Sequence, residues 1–277
     1  MKKVFILLSA LVIVLAAAFP LAAQESLNAM SLNGATGIYV VPTARIGFPD
    51  TNMGLNFGYH TNYTKLAGSS IKQNHLLQAN FSFLKIAEVS GTFDVQPDPP
   101  LHKNPNDLIL GAKVQLPFGS VPIALGANYQ NHNLGAESYQ RFWAFQFYGA
   151  ITYKAELFGW PADTTMVVGH TLLKDSSHSN IDFGMGFDLI IFPKQLGSFL
   201  HFLIDFANFS YSADPWGADA WGRGVLNTGL RLDLSKIPAL NKFTFAVDAF
   251  LADAFDSSNF YGSGRSFGAG VTFGLTL

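Results

Sequence analysis

Residues 181–190 read IDFGMGFDLI, with large apolar side chains at 181, 183, 185, 187 and 189 and only Asp or Gly between them. Successive side chains on a β-strand point to opposite faces, so this is a strand with one oily face and one small or charged face. A soluble sandwich would bury the oily face and cover the other with Lys, Glu and Arg. Here the second face holds Gly and Asp, which cannot coat a water-exposed sheet. The reading that fits places lipid against the oily face and an enclosed interior against the other.

The same alternation recurs on both sides of this stretch. Ala79, Phe81 and Phe83 interleave with Gln78, Asn80 and Ser82, and Leu108, Leu110, Ala112, Val114 and Leu116 with Gly111, Lys113 and Gln115. Further on, Leu200, Phe202, Ile204 and Phe206 oppose His201 and Asp205. Leu230, Leu232 and Leu234 oppose Arg231 and Asp233, and Phe243, Phe245 and Val247 oppose Thr244 and Asp248. Residues 267 to 277 alternate throughout. Past the N-terminus no apolar run approaches the roughly 18 residues of a spanning helix.

The links also alternate. Short ones fall near Leu84 to Ile86, at PFGSVP (117–122), FGWPAD (158–163), PKQLGS (193–198) and SKIPALNK (235–242). Longer or more polar ones fall between them: KLAGSSIK, QPDPPLHKNPN, NHNLGAESYQ, KDSSHS, SADPWGADAWGRG and DAFDSSNFYGSG. Short turns at one end and long loops at the other predict an all-β, antiparallel up-and-down transmembrane β-barrel of about twelve strands. The barrel is expected over residues 53 to 277, with both ends on the short-turn side. Tyr59, Tyr63, Tyr129, Trp143, Tyr211 and Tyr261 toward the loops, with Tyr153 and Trp160 toward the turns, suit interfacial girdles.

Composition agrees. Charged residues make up 13% of the chain, about half the share a soluble surface carries. There is no cysteine, which excludes disulfides and a lipid anchor through an N-terminal Cys. Residues 1 to 23, MKKVFILLSALVIVLAAAFPLAA, have the basic start, apolar run and small-residue end of a secretory signal peptide. Its removal would leave 277 − 23 = 254 residues, carrying 15 basic and 19 acidic side chains, a charge of 15 − 19 = −4. Such a balance gives no reason to expect nucleic acid. The expected location is the outer membrane of a diderm bacterium, with membrane lipid and the barrel-assembly machinery as partners.

One segment departs from the alternation. In GATGIYVVPTARIGFPDTNMGLNFGY (34–59) an apolar run, Ile38 to Val41, ends at Pro42, and Pro49 follows. Proline lacks the N–H that a ladder needs. Residues 24 to 52 are therefore expected to be a periplasmic lead or a short plug folded into the barrel mouth, with the first wall strand starting near Met53. Gly34, Thr36 and Gly37, then Pro42, Thr43, Ala44 and Arg45, then Gly54-Leu55-x-Phe57-Gly58-Tyr59, resemble the N-terminus of YjbH-like outer-membrane proteins. That resemblance implies a link to exopolysaccharide and its export proteins. At the other end, Ser266-x-Gly268-x-x-Val271-x-Phe273 is similar to the C-terminal assembly signal of outer-membrane barrels.

The search for chemistry points away from an enzyme and from any cofactor. The chain has no Gly-Lys-Ser/Thr phosphate loop, and its histidines lack metal-ligand spacing. Ser176 to Asn180 holds hydrolase residue types, but adjacency in a loop is not a triad. Asp214, Asp219, Asp253 and Asp256 could collect calcium at the loop rim, although solvated loop acids explain them better. What remains is the polar face: Glu88, Asp94, Lys113, Asp182, Asp188, Asp205, Arg231, Asp233 and Asp248 are expected to point into the lumen. They would form a paired network or line a pore. Function is thus expected to be a passive or exopolysaccharide-linked conduit, with a structural or adhesive barrel displaying the loop 212–224 as the alternative.

Overall fold

The computed structural model describes residues 29–65, 71–95, 106–117, 119–134, 140–173, 181–209, 224–255 and 265–277. Twelve strands run β1 (Met53–Lys65), β2 (Ile71–Phe83), β3 (Ala87–Val95), β4 (Asp107–Leu116), β5 (Ile123–Leu134) and β6 (Gln140–Leu157). They continue as β7 (Trp160–Leu173), β8 (Ile181–Ile190), β9 (Leu200–Ala207), β10 (Val225–Asp233), β11 (Phe243–Ala252) and β12 (Ser266–Thr276). Each pairs antiparallel with the next, and β12 returns to β1 to close the barrel. The seam is long, running from Gly54 opposite Thr276 to Thr64 opposite Ser266. Closure leaves no sheet edge, which is what a β-structure needs in hydrocarbon, where no water can satisfy a free N–H or C=O.

The period of two sorts the side chains as the alternation requires. Phe57, Leu77, Leu110, Leu125, Phe147 and Val271 point outward and are exposed, while their neighbours Asn56, Asn128, Gln146 and Thr272 are buried inside. On β8 it is Asp182, Gly184, Gly186 and Asp188 that face inward. Tyr59, Tyr63 and Trp143 are exposed on the outer face. Tyr211 and Tyr261 lie outside the described residues.

Five links lie at the end that also holds the N-terminal end of β1 and the C-terminus. One of them is shorter than the expected 158–163. The strand resumes at Trp160, so Phe158 and Gly159 alone make the turn. Phe158 takes φ 57°, and Leu84, Lys85 and Phe192 in other short turns are also left-handed. Pro161 can sit in β7 because it lies at the rim, beyond Ala162, the first residue of β7 that pairs with β8. The stretch 193–198 likewise contains one turn of helix, Pro193–Leu196.

Ahead of β1, residues 29 to 48 lie inside the closed sheet. They form no strand, only the isolated bridges Met30 to Thr36 and Gly37 to Pro42. Nearly all are buried, including Tyr39, Val41, Ala44 and Ile46. Phe48 sits at the turn end against Gly54 and Gly274, and Val41 reaches Gly184 and Phe209 toward the loop end. This inner segment therefore spans much of the barrel's length.

A lumen built to hold the inner segment

A chain segment without regular pairing still carries one N–H and one C=O per residue, and burial makes each of them costly to leave alone. The wall supplies the partners. Asp205 on β9 accepts the consecutive N–H groups of Tyr39, Val40 and Val41 on one oxygen, at 2.9, 2.7 and 3.0 Å. Its other oxygen takes a hydrogen bond from Asn227 at 2.7 Å. Successive N–H groups converging on an anion make a nest, here with a carboxylate inside it.

The carbonyl groups find cations. Arg231 on β10 donates to the carbonyls of Gly37, Met30 and Ile38 at 3.1, 3.2 and 3.4 Å. Its Nε is fixed by Asp248 on β11 at 2.5 Å. Lys113 on β4 donates to the carbonyls of Thr36 and Thr43 at 3.0 and 2.8 Å and pairs with Glu88 at 3.0 Å. Glu88 in turn accepts from the N–H and hydroxyl of Thr36, at 2.9 and 2.7 Å, and from Gly47 N–H at 3.2 Å. Both buried ion pairs thus have hydrogen bonds beyond the partner ion, the condition under which a desolvated pair is tolerable.

Further contacts complete the fastening. Ala44 N–H donates to Thr152 at 2.8 Å, and Gln78 donates to the Ser31 carbonyl at 2.7 Å. His60 bridges Gln78 Oε1 at 2.6 Å and Asp248 at 3.2 Å. Arg45 makes a two-pronged contact with Asp163, both bonds 3.1 Å.

Most residues of the quoted N-terminal motif are contact points with this wall. Gly34 is left-handed at φ 88°, and a Cβ there would stand 2.9 Å from the Gly91 carbonyl oxygen. Thr36, Gly37, Thr43, Ala44 and Arg45 make the bonds described above, and Pro42 closes the bridge to Gly37. Inward glycines on the wall make room in return. A Cβ on Gly186 would collide with Ile38, and one on Gly229 would stand 2.5 Å from the Tyr39 hydroxyl.

The structure places the residues expected in the lumen as follows. Glu88, Lys113, Asp205, Arg231 and Asp248 converge on the inner segment. Asp188 pairs with His201 at 2.6 Å, and Asp182 accepts from Gln146 at 2.7 Å and Thr171 at 2.5 Å. Asp233 sits at the turn-end rim, 3.7 Å from Lys236, and Asp94 is half-buried with Asn74 at 3.2 Å. Asp253 is buried, with its N–H on Asn227 at 3.0 Å. Asp214, Asp219, Asp256 and Ser176 to Asn180 lie outside the described residues. Among the described residues no group of three or more His, Asp or Glu is placed to hold a metal.

Sequence reasoning missed the apolar half of this interior. Leu76, Leu203 and Phe250 pack with Leu32, Ile38 and Tyr39. Ile109, Tyr148 and Val167 cluster with Val40, Val41 and Ala44. The signal was present: Leu76-Leu77, Leu108-Ile109-Leu110, Val167-Val168, Phe202-Leu203-Ile204 and Phe250-Leu251 put apolar residues on both faces at once. A water-filled lumen does not need that. Asp163 was missed because it fell in the overextended link, and His60 and His201 because they read as isolated.

No family model matches the chain, and no curated protein matches it. Among solved structures it is similar to the KdgM porin in complex with disordered oligogalacturonate, at 9% identity and a TM-score of 0.49, covering 79% of this chain and 98% of that one. The NanC porin aligns at 9% identity and a TM-score of 0.48, over 81% of this chain and 100% of that one. The outer membrane protein Omp33 of Acinetobacter baumannii aligns at 11% identity and 0.40, over 80% and 97%. Values this low say nothing of what the barrel carries, and its closed pairing stands without them.

Proposed function

We propose that this chain is an outer-membrane β-barrel that acts as a gated conduit, with residues 29 to 48 as the plug and exopolysaccharide secretion as its setting. The membrane reading is supported by a closed sheet whose outward face is apolar along its length. The secretion setting is supported by the resemblance of the N-terminal motif, several of whose residues engage the wall.

One observation carries the gate. The wall groups that fasten the plug are Glu88, Lys113, Asp205 and Arg231, and their bonds go chiefly to plug backbone. Unpaired plug backbone needs polar partners in any case, and here those partners are charged side chains, which water solvates well once the plug leaves. A structural barrel without an open pore is the second reading, favoured by the apolar contacts of Leu203, Phe250 and Ile109 with the plug.

Planar-bilayer recording of the purified chain decides between the two. A gated conduit conducts in brief openings and conducts far more when residues 29 to 48 are removed from a barrel that still shows heat-modifiable mobility. A structural barrel stays silent as long as residues 29 to 48 are present. For the secretion setting, loss of the chain should lower exopolysaccharide release by the bacterium that makes it.

A further inference from the structure

Resting on the conduit reading, we infer that the opened lumen passes cations and cationic solutes and disfavours polyanions, because a ladder of carboxylates runs along one wall. Asp163 on β7 lies directly opposite Asp188 on β8, both facing inward near the turn end. Asp205 on β9 lies opposite Gly186, two residues further along β8. Asp182 stands four residues beyond that, toward the loops. From Asp188 to Asp182 the rise along the strand is about 20 Å. The acids are thus steps on three adjacent strands rather than one cluster.

Charge compensation on this wall is lopsided. The buried cations elsewhere on the wall are already matched, Lys113 by Glu88 and Arg231 by Asp248, at 3.0 and 2.5 Å. On the ladder, Asp188 has His201, and His170 lies within electrostatic reach of Asp182. Asp205 depends on the three plug N–H groups and Asp163 on the plug's Arg45, with Lys154 opposite Asp163 on β6 at the mouth. Plug departure removes the N–H groups and one positive charge together. The Glu88 and Asp248 pairs stay neutral, so the change falls on the ladder.

Asp182 adds an independent observation. It is fully buried and both donors, Gln146 and Thr171, bond its Oδ2, while its Oδ1 has no hydrogen-bond partner. A buried carboxylate oxygen left without a donor is costly, and a passing cation would supply what it lacks. Field lines in a low-dielectric pore concentrate this one-signed charge on the solute.

The test uses the full chain with Gly34→Val, where a Cβ on a left-handed backbone would stand 2.9 Å from the Gly91 carbonyl oxygen and so loosens the plug without altering any charge. Gly186→Val, whose Cβ meets the end of the Ile38 side chain, is the milder second variant. Under a potassium chloride gradient across a neutral phosphatidylcholine bilayer, the opened channel should favour potassium over chloride several-fold. Adding Asp182→Asn or Asp205→Asn should reduce that preference. Opening without ion preference, or with chloride preferred, overturns the ladder and leaves the gate standing. No opening in either variant overturns the gate and the ladder with it.

Discussion

Two apolar runs in this barrel show how differently the same residues are held. Leu200, Phe202, Ile204 and Phe206 lie on β9, where both neighbouring strands satisfy the backbone and the side chains turn outward from the barrel. Ile38 to Val41 have no strand on either side. They are buried in the lumen, and the backbone N–H groups of Tyr39 to Val41 are taken up by a single carboxylate, Asp205. On the wall the ladder does the fastening and side chains choose the face. In the lumen charged side chains do the fastening. A wall strand should therefore be sensitive to charge added outside, and the plug to charge removed inside.

The largest effect is expected where a charge is removed from the lumen. Arg231→Met strands Asp248 and three plug carbonyls, and should cost about 3–5 kcal/mol in urea unfolding of the folded barrel. Arg231→Met combined with Asp248→Leu should recover a good part of that, since no lone charge is left. Next comes charge added outside: Ile204→Arg should cost about 2–4 kcal/mol if 204 lies near the bilayer midplane. A cost near zero would mean that the β9 outer face does not meet lipid.

Those two predictions also mark what the sequence revealed. Strand number, closure, the end carrying the short turns and the inward face were legible because a period of two is written into nearly every strand. The start of β1 at Met53 was legible from Pro42 and Pro49. What Asp205 and Arg231 hold was not legible, because they bind backbone atoms, which carry no residue code. Nor was the depth of the plug, because Leu203 and Phe250 looked like lapses in alternation until Ile38 and Tyr39 were found against them. Asp163 needed strand register to be placed, and a proline two residues before it concealed that register.

Smaller effects sharpen the contrast from within the lumen. Gly186→Val should cost about 1–3 kcal/mol, the range for overpacking, with the loss confined to plug docking. Limited proteolysis near residues 34 to 48 would then rise while the barrel keeps its heat-modifiable mobility. Ile38→Val removes one buried methylene and should cost about 0.5–1.5 kcal/mol. Were Ile38→Val to have no effect while Ile204→Val on the outer face did, the assignment of the two runs would be reversed.

The central claim, that the inner segment opens and closes the barrel, has a direct test in a chain without native cysteine. A Cβ on Gly184 would stand 3.0 Å from a Val41 methyl carbon, close enough for a disulfide between Val41→Cys and Gly184→Cys. Conductance of that double variant is measured before and after reduction in the same bilayer. The gate predicts silence when oxidised and openings when reduced. Equal conductance in the two states, whether silent or open, would contradict it.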